Sequence, residues 1–301
     1  MNKKSNVLAI GIMFFLFAMI SFVTGLQNPM GVIAKAQFGA TNLMSQLGNA
    51  ANFIAYAFMG LPAGFLLKGK GYKFTALTAV AIGFIGVGIS YLSGVLESFP
   101  VYLLGAFVSG FSMCMLNTVV NPMLNTLGGG GNKGNQLVQI GGTFNSLMGT
   151  LTPMLVGALI GSVTKDTMIT DVNLVLFIAM GVFAATFAIL TFIPFVEPEQ
   201  EKNDISVKSL FEYRHLVFGV IAIFLYVGVE VGIPGTMNFF LTDTLGTANA
   251  ATTAGFVAGT YWFLMLIGRF VSSVISGKVS SRTQLAVTSA TAIVLVVVAM
   301  F

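Results

Sequence analysis

Glu230 is the residue whose position in this sequence most strongly suggests chemistry. It lies in the stretch FLYVGVEVGIPG, residues 224–235, inside an apolar run long enough to cross a bilayer. Inserting a carboxylate at the bilayer centre costs about 2.5–3.5 kcal/mol on insertion scales. An acid at this depth is therefore expected to have an interaction partner or a functional role. It could carry a proton or help to hold a sodium ion, and the sequence does not choose between these.

Arg269 offers a structural alternative, an ion pair with Glu230, because it is the one basic residue within an apolar run. Counted from the predicted cytoplasmic ends, Glu230 lies about 21 Å deep and Arg269 about 10 Å deep at 1.5 Å per residue. This difference favours a coupling role for Glu230, while Arg269 could also extend toward the cytoplasmic surface. Pro234, with Gly232 and Gly235, is expected to weaken the outer end of the run and form a gate there, or only a kink.

Amide side chains recur at helical spacing in two other apolar runs. Asn117, Asn121 and Asn125 follow one another every four residues and therefore lie on one face of a helix. Gln139 and Asn145 belong to a similar polar region in the next run. Such residues can join helices, each bond contributing about 0.6 kcal/mol, or can line a wet cavity that holds a neutral polyhydroxylated solute. The number of amides at similar depth favours the cavity.

From these positions we predict residues that bind a solute. The candidate substrate contacts are Gln27, Asn28, Asn117, Asn121, Gln139, Asn145 and Tyr226. Gln27 and Asn28 lie in the first apolar run and are expected to close the outer side of the cavity. Glu230 is the candidate site for the coupled proton or cation.

The elements that carry these residues are predicted to be membrane helices. Of the 301 residues, 56% are apolar and 8% are charged, and the mean hydropathy is +0.91. Apolar runs of about 20 residues or more can be marked at 6–32, 43–67, 74–94, 100–126, 136–161, 172–195, 216–241, 252–276 and 284–301. The last run reaches Phe301 while still apolar, so we expect the chain to be truncated.

Basic residues predict the orientation of these helices. With a cytoplasmic N-terminus, the cytoplasmic side holds Lys3, Lys4, Lys68, Lys70, Lys73, Lys133, Lys202, Lys208, Arg214, Lys278 and Arg282. The opposite side holds only Lys35 and Lys165. This positive-inside bias predicts a multi-pass protein of a bacterial inner membrane with its N-terminus in the cytoplasm.

Composition also argues against several functional classes. One His and one Cys leave no metal-ligand cluster and no nucleophile–base set, so neither an enzyme nor a cofactor or metal site is predicted. The stretch LGGGGNKGN, residues 127–135, lacks the Gly-Lys-Ser/Thr ending of a phosphate-binding loop and predicts a flexible loop. The basic residues are spread over short loops, so no nucleic-acid partner is predicted. We expect a monomer in the lipid bilayer.

An internal repeat predicts two halves. GKGYKFTALTAVAI after the second run aligns with GKVSSRTQLAVTSATAI after the eighth, at an offset of 208 residues. Two parallel six-helix halves account for such a repeat. The predicted domains are 1–196, a six-helix N-terminal half, then 197–215, a cytoplasmic linker, and 216–301, an incomplete C-terminal half that lacks about three helices.

The chain resembles the major facilitator superfamily, in particular the branch of fucose, glucose/galactose and N-acetylglucosamine permeases. The similarity covers all 301 residues, and its most specific parts are PAGFLLKGKGYK (62–73), NTVVNPMLNTLG (117–128), TFNS (143–146) and YVGVE (226–230). The resemblance implies an all-α membrane protein with the major facilitator fold, here with a truncated second half. It also implies a secondary transporter with two rocking halves and a central sugar site, driven by protons or sodium ions.

The sequence departs from this branch at several positions. Where fucose permeases have acids in the first and fourth helices, this chain has Asn28 and Asn117, and Gly142 takes the place of a glutamine in the fifth helix. Lys68 stands where the wider superfamily has an Asp, a substitution that the branch shares. If the proton-carrying acids are absent, coupling passes to Glu230 or is lost.

These observations predict a transporter of a monosaccharide or amino sugar that works by alternating access as a proton or sodium symporter. Two alternatives are open. The 16 methionines and 28 phenylalanines could form an adaptable pocket for the efflux of amphipathic drugs. A membrane sugar sensor that binds its ligand without transporting it is the second.

Overall fold

The structure is a computed structural model that describes residues 3–160, 167–193, 197, 211–245 and 250–300. For residues 3–6, 28, 42, 157, 159, 160, 234–245, 250–256 and 258 it describes the backbone alone. Every regular element among the described residues is helical. The α-helices are α1 (Lys3–Phe38), α2 (Asn42–Val95), α3 (Phe99–Leu127), α4 (Gly131–Ile160), α5 (Asn173–Phe192), α6 (Arg214–Leu245), α7 (Ala250–Ile275) and α8 (Ser281–Ala299). A short 3-10 helix, Ile169–Val172, precedes α5.

Six helical segments of the described chain have the length and apolar composition to cross a membrane. They are Val7–Phe38, Leu43–Val95, Phe99–Leu127, Ile169–Phe192, Arg214–Ile233 and Ser281–Ala299. α4, which is richer in glycine and amides, is not among them, and α7 contributes the shorter apolar segment Gly259–Ile275. The all-α membrane architecture predicted from the sequence is therefore confirmed.

α2 contains two of the predicted membrane runs. Its 54 residues are interrupted at Gly71, which has φ 86° and ψ 176°, a conformation open almost only to glycine. The sequence predicts a polar connection between runs that end at 67 and begin at 74, and the structure replaces most of it with helix. The break between the two membrane runs is concentrated at this single glycine.

Contacts divide the chain into two compact units, each described by itself. The first comprises Met1–Pro198 and Leu266–Phe301, and the second comprises Glu199–Met265. The first unit therefore holds α1 to α5, the end of α7 and α8, while the second holds α6 and the start of α7. The domain boundaries at 196 and 215 stay a prediction.

α2 and α3 pack closely in the first unit because small residues line their contact. A Cβ added to Gly86 would lie 2.5 Å from Ser109 Oγ, and one added to Gly105 would lie 2.5 Å from Ser90 Oγ. Neither glycine can be enlarged without moving a helix. Membrane helices commonly use small residues in this way, because lipid supplies no hydrophobic force to hold helices together.

Glu197 binds the start of the second part of α2. Its carboxylate oxygens accept hydrogen bonds from Tyr72 N at 2.7 Å and Lys73 N at 2.8 Å, just after the break at Gly71. Lys73 Nζ donates to the carbonyls of Thr191 and Ile193 at the end of α5, 3.0 Å in each case. A carboxylate at a helix N-terminus satisfies free N–H groups and complements the helix dipole.

The break at Gly71 generates a stability prediction. Gly71→Ala should lower the free energy of unfolding by about 1–3 kcal/mol, because alanine rarely adopts this conformation and its Cβ would lie 3.0 Å from the Glu197 carboxylate. Gly69→Ala is the matched control, since its Cβ would meet nothing within 4 Å. Thermal unfolding of the two purified variants in detergent measures the difference. Equal melting temperatures would contradict the assigned break.

Candidate functional site

The asparagines of α3 lie on one face, as predicted, and the first two lie near Tyr56. Asn117 Nδ2 donates to Tyr56 Oη at 3.1 Å and to Met113 O at 3.2 Å. Asn121 Nδ2 donates to Asn117 O at 3.0 Å. All three polar residues are half-buried. The structure thus brings two predicted substrate contacts together with a tyrosine of α2.

Asn125, one turn further along α3, has a different environment. Its Nδ2 donates to Asn135 Oδ1 at 3.1 Å, and Asn135 Nδ2 donates to Ser281 Oγ at 2.8 Å. These bonds connect the end of α3 to the starts of α4 and α8. The third asparagine of the stripe therefore joins helices.

Asn145 of α4 is held at both ends of its amide. Its Nδ2 donates to Phe17 O of α1 at 3.0 Å, and its Oδ1 lies 3.5 Å from the guanidinium of Arg269. The same Arg269 nitrogen donates to Gly142 O at 3.3 Å. Asn145 thus has protein partners on α1 and α7. Gln139, one to two turns earlier, is half-buried, and its carbonyl accepts from Thr143 Oγ1 at 3.0 Å.

Gly142, which replaces a glutamine according to the resemblance, lies beside the side chain of Arg269. A Cβ added to Gly142 would lie 3.8 Å from Arg269 Cδ. The arginine side chain therefore runs along the position where a glutamine side chain would start. Arg269 belongs to the first unit and Glu230 to the second, so the predicted ion pair between them stays a prediction.

Gln27 is buried inside the first unit, with 6% of its surface exposed. It lines a small internal cavity together with Tyr102 and Ser109 of α3. The backbone of Asn28 is helical, but its side chain lies outside the described residues. Sequence patterns gave no signal for Tyr102 or Ser109, because both lie in an apolar run without a polar stripe around them.

Glu230 lines a cavity in the second unit. The cavity has a volume of about 300 Å³ and is lined by Tyr226, Val229, Glu230, Tyr261, Leu264 and Met265. Tyr226 precedes Glu230 by four residues, so both side chains lie on one face of α6. Tyr261 of α7 forms an edge-to-face pair with Trp262, with ring centroids 5.6 Å apart. Volumes of about 300 Å³ and above are typical of small-molecule sites.

Pro234 explains a contact at Glu230. α6 continues through position 234, and proline has no N–H with which to bind the carbonyl four residues earlier, which is that of Glu230. Tyr261 Oη donates to this Glu230 carbonyl at 3.2 Å. A side chain of α7 thus supplies a hydrogen bond that the proline cannot. The predicted kink or gate at Pro234 depends on a side chain that lies outside the described residues.

No metal centre is evident in the part of the chain that the structure describes. No group of three or more His, Cys, Asp and Glu side chains there could hold a metal ion. Cys114, the single cysteine of the sequence, is buried. The face of Asn117 and Asn121 near Tyr56 can hydrogen-bond the hydroxyl groups of a solute. The pocket at Glu230 offers a carboxylate that can take up a proton or a cation.

The comparison with protein families identifies the class of the protein. Residues 11–301 match the family described as the Major Facilitator Superfamily. The chain therefore belongs to this superfamily, which confirms the family resemblance and the predicted fold. The members of this superfamily are transporters, and membership confirms the prediction that the chain is not an enzyme.

Individual relatives are named for sugar transport. A Helicobacter pylori protein named for glucose/galactose transport is 30% identical over 312 residues, which cover 99% of this chain and 75% of the relative. The glucose/galactose transporter of Brucella abortus is 29% identical, covering 98% and 73%. The L-fucose-proton symporter of Escherichia coli is 22% identical, covering 96% and 71%.

A solved structure supports the fold. The crystal structure of the Escherichia coli fucose:proton symporter superposes with a TM-score of 0.71 at 19% identity, covering 90% of this chain and 72% of that one. At this identity the likeness establishes the fold alone. The major facilitator fold is thus supported by both the sequence and the coordinates.

The hydrogen bond from Tyr261 to the Glu230 carbonyl predicts that a second substitution, at Pro234, compensates for its loss. Tyr261→Phe should lower the melting temperature, because it removes a hydrogen bond worth about 0.5–1.5 kcal/mol from a half-buried carbonyl. Pro234→Ala restores an N–H that can bind the same carbonyl within α6. In the Pro234→Ala background, Tyr261→Phe should therefore cost much less.

The measurement is a double-mutant cycle of thermal unfolding on the purified protein. Trp262→Phe, at the neighbouring position of α7, serves as the control and should show no coupling to Pro234→Ala. Additive effects of Tyr261→Phe and Pro234→Ala would contradict the assignment of this bond to the proline.

Proposed function

We propose that this protein is a secondary active transporter of a monosaccharide or amino sugar that works by alternating access. The observation that carries the proposal is the similarity to proteins named for glucose/galactose transport, which extends over 98–99% of the chain. The relatives' names do not favour drug efflux or a sensor that does not transport. The sugar itself would be a hexose, a deoxyhexose or an amino sugar.

The face formed by Tyr56, Asn117 and Asn121 is the best supported part of the substrate site. Its residues are half-buried, and the amide donors are already oriented, Asn117 by the Tyr56 hydroxyl and Asn121 by the carbonyl of Asn117. Such a face is pre-organised, so a sugar hydroxyl can bind without ordering flexible side chains. Gln139 and Tyr226 are proposed as further contacts. Gln27 and Asn145 are proposed with less support, since one is deeply buried and the other has protein partners.

Glu230 is proposed as the coupling residue, and a proton is the preferred ion. A proton symporter among the relatives supports this preference over sodium. The carboxylate lines a pocket with two tyrosines and three apolar side chains, and it lies within an apolar run of the sequence. Uptake and release of a proton there would change the charge of this pocket during the transport cycle.

The membrane setting follows the same proposal. The relatives are bacterial, and the distribution of basic residues favours an inner-membrane protein with a cytoplasmic N-terminus. We further propose that the protein acts as a monomer, with one pathway between the two predicted halves. Arg269 would contribute by holding α7 to Gly142 and Asn145 rather than by binding the sugar.

Glu230→Gln tests the coupling role. In proteoliposomes loaded with buffer, an imposed pH gradient should drive uptake of labelled glucose, galactose, fucose or N-acetylglucosamine by the unmodified protein. Glu230→Gln should abolish gradient-driven accumulation but keep sugar exchange, because exchange needs no net proton movement. Glu212→Gln, at an exposed acid before α6, is the control and should behave like the unmodified protein. Gradient-driven accumulation by Glu230→Gln would remove the coupling role.

Asn121→Ala tests the substrate site. Loss of one hydrogen bond to the sugar should weaken apparent affinity by about fivefold, equivalent to about 1 kcal/mol. Asn125→Ala is the matched control on the same face, and it should lower thermal stability without changing affinity, since Asn125 binds Asn135. Initial rates of uptake against sugar concentration measure both. Unchanged affinity in Asn121→Ala would place the sugar elsewhere.

A further inference from the structure

The small cavity inside the first unit contains an unusual concentration of polar groups. Its lining comes from α1, the second part of α2, α3 and α5. Four of the lining side chains are polar, namely Gln27, Ser90, Tyr102 and Ser109. All four are at most 7% exposed, so bulk water does not reach them.

Three of these groups have no hydrogen-bond partner among the residues that the structure describes. Gln27 Oε1, Tyr102 Oη and Ser109 Oγ make no hydrogen bond with any group in the described part of the chain. Ser90 Oγ, by contrast, donates to Gly86 O at 3.1 Å. Buried polar atoms without a partner are rare in proteins and are most often satisfied by an internal water molecule. Three such atoms around one cavity point to a common ligand.

A glycine of α2 leaves space for the side chain of Tyr102. A Cβ added to Gly48 of α2 would clash with the Tyr102 hydroxyl, and one added to Gly31 of α1 would lie 3.9 Å from it. Gly48 therefore gives the phenol end of Tyr102 the space it occupies, whereas a Cβ at Gly31 would be in ordinary van der Waals contact with the hydroxyl. The hydroxyl therefore occupies space that the helices leave open for it.

We propose that this cavity binds one structural water molecule, which bridges Gln27 of α1 to Tyr102 and Ser109 of α3. The cavity has a volume of about 10 Å³, at the lower limit of the roughly 10–15 Å³ that one water needs. A water molecule can donate to Gln27 Oε1 and accept from both hydroxyls, and this number of bonds is typical for buried water. Any sugar is far too large for this space.

The donor set also favours water over a metal cation. All the cavity's side-chain oxygens belong to neutral groups, and no carboxylate lines it. Hard cations usually bind more oxygens and at least one carboxylate. The water would thus serve the packing of α1 against α3.

Tyr102→Phe tests the proposal through the sign of its effect. If water bridges the hydroxyl, its removal should lower the melting temperature by about 2–4 °C. If the hydroxyl is dry and without a partner, its removal should leave the melting temperature unchanged or raise it. Ser146→Ala is the control for a hydroxyl without a bridging water, because Ser146 Oγ is also buried without a partner among the described residues but does not line this cavity. Its melting temperature should be unchanged or higher.

A double-mutant cycle adds a second criterion. Tyr102 and Ser109 share no direct hydrogen bond, so Tyr102→Phe and Ser109→Ala should be non-additive if one water connects them. Tyr102→Phe and Ser146→Ala should be additive. Additivity in the first pair together with no loss of melting temperature in Tyr102→Phe would overturn the proposal.

A high-resolution structure decides the matter even if a variant fails to fold. Density for one solvent atom within about 2.7–3.2 Å of Gln27 Oε1 and both hydroxyls would support the proposal. A cavity without density would overturn it. The melting temperature should be the same in sodium and choline buffers, and a sodium-dependent rise that Tyr102→Phe abolishes would assign the cavity to a cation instead.

Discussion

Polar groups within a membrane must find their partners inside the protein, and this constraint shapes most of the structure. The backbone meets it by forming helices, because each helix satisfies its own N–H and C=O groups. Many hydroxyls meet it locally, as Thr118 and Thr143 do by donating to the carbonyl four residues earlier, at 2.9 and 3.0 Å. Amides, tyrosines and the carboxylate cannot be satisfied so simply. Their partners therefore determine which helices meet and where a solute can bind.

The amides divide into two groups on this basis. Asn52 is fully buried and donates to Ala106 O at 3.3 Å, and Asn125 and Asn145 also bind groups on other helices. Asn121 binds within its own helix, Asn117 binds both its own helix and Tyr56 of α2, and both asparagines keep part of their surface exposed. The same residue type thus holds helices together at some depths and is available to a solute at others. Spacing alone does not separate the two roles.

Sequence was sufficient for the helices and for the stripe on α3, because apolar run length and the four-residue repeat depend on local geometry. It did not locate the break in α2, since the polar stretch around Lys68 and Lys70 continues as helix as far as Gly71. The contact between Asn145 and Arg269 joins residues 124 positions apart and depends on how α4 meets α7. The environment of Tyr102 depends on Gly48 of α2, which no pattern around Tyr102 itself reveals.

Glu230 shows how a local defect can serve a proposed coupling site. Pro234 leaves the carbonyl of Glu230 without its helical donor, and Tyr261 supplies one from α7. The backbone at the carboxylate is therefore attached to a second helix rather than only to its own. The same tyrosine lines the pocket beside the Glu230 side chain. One residue of α7 therefore borders both the backbone and the side-chain pocket of Glu230, and the proposed coupling site includes the contact between α6 and α7.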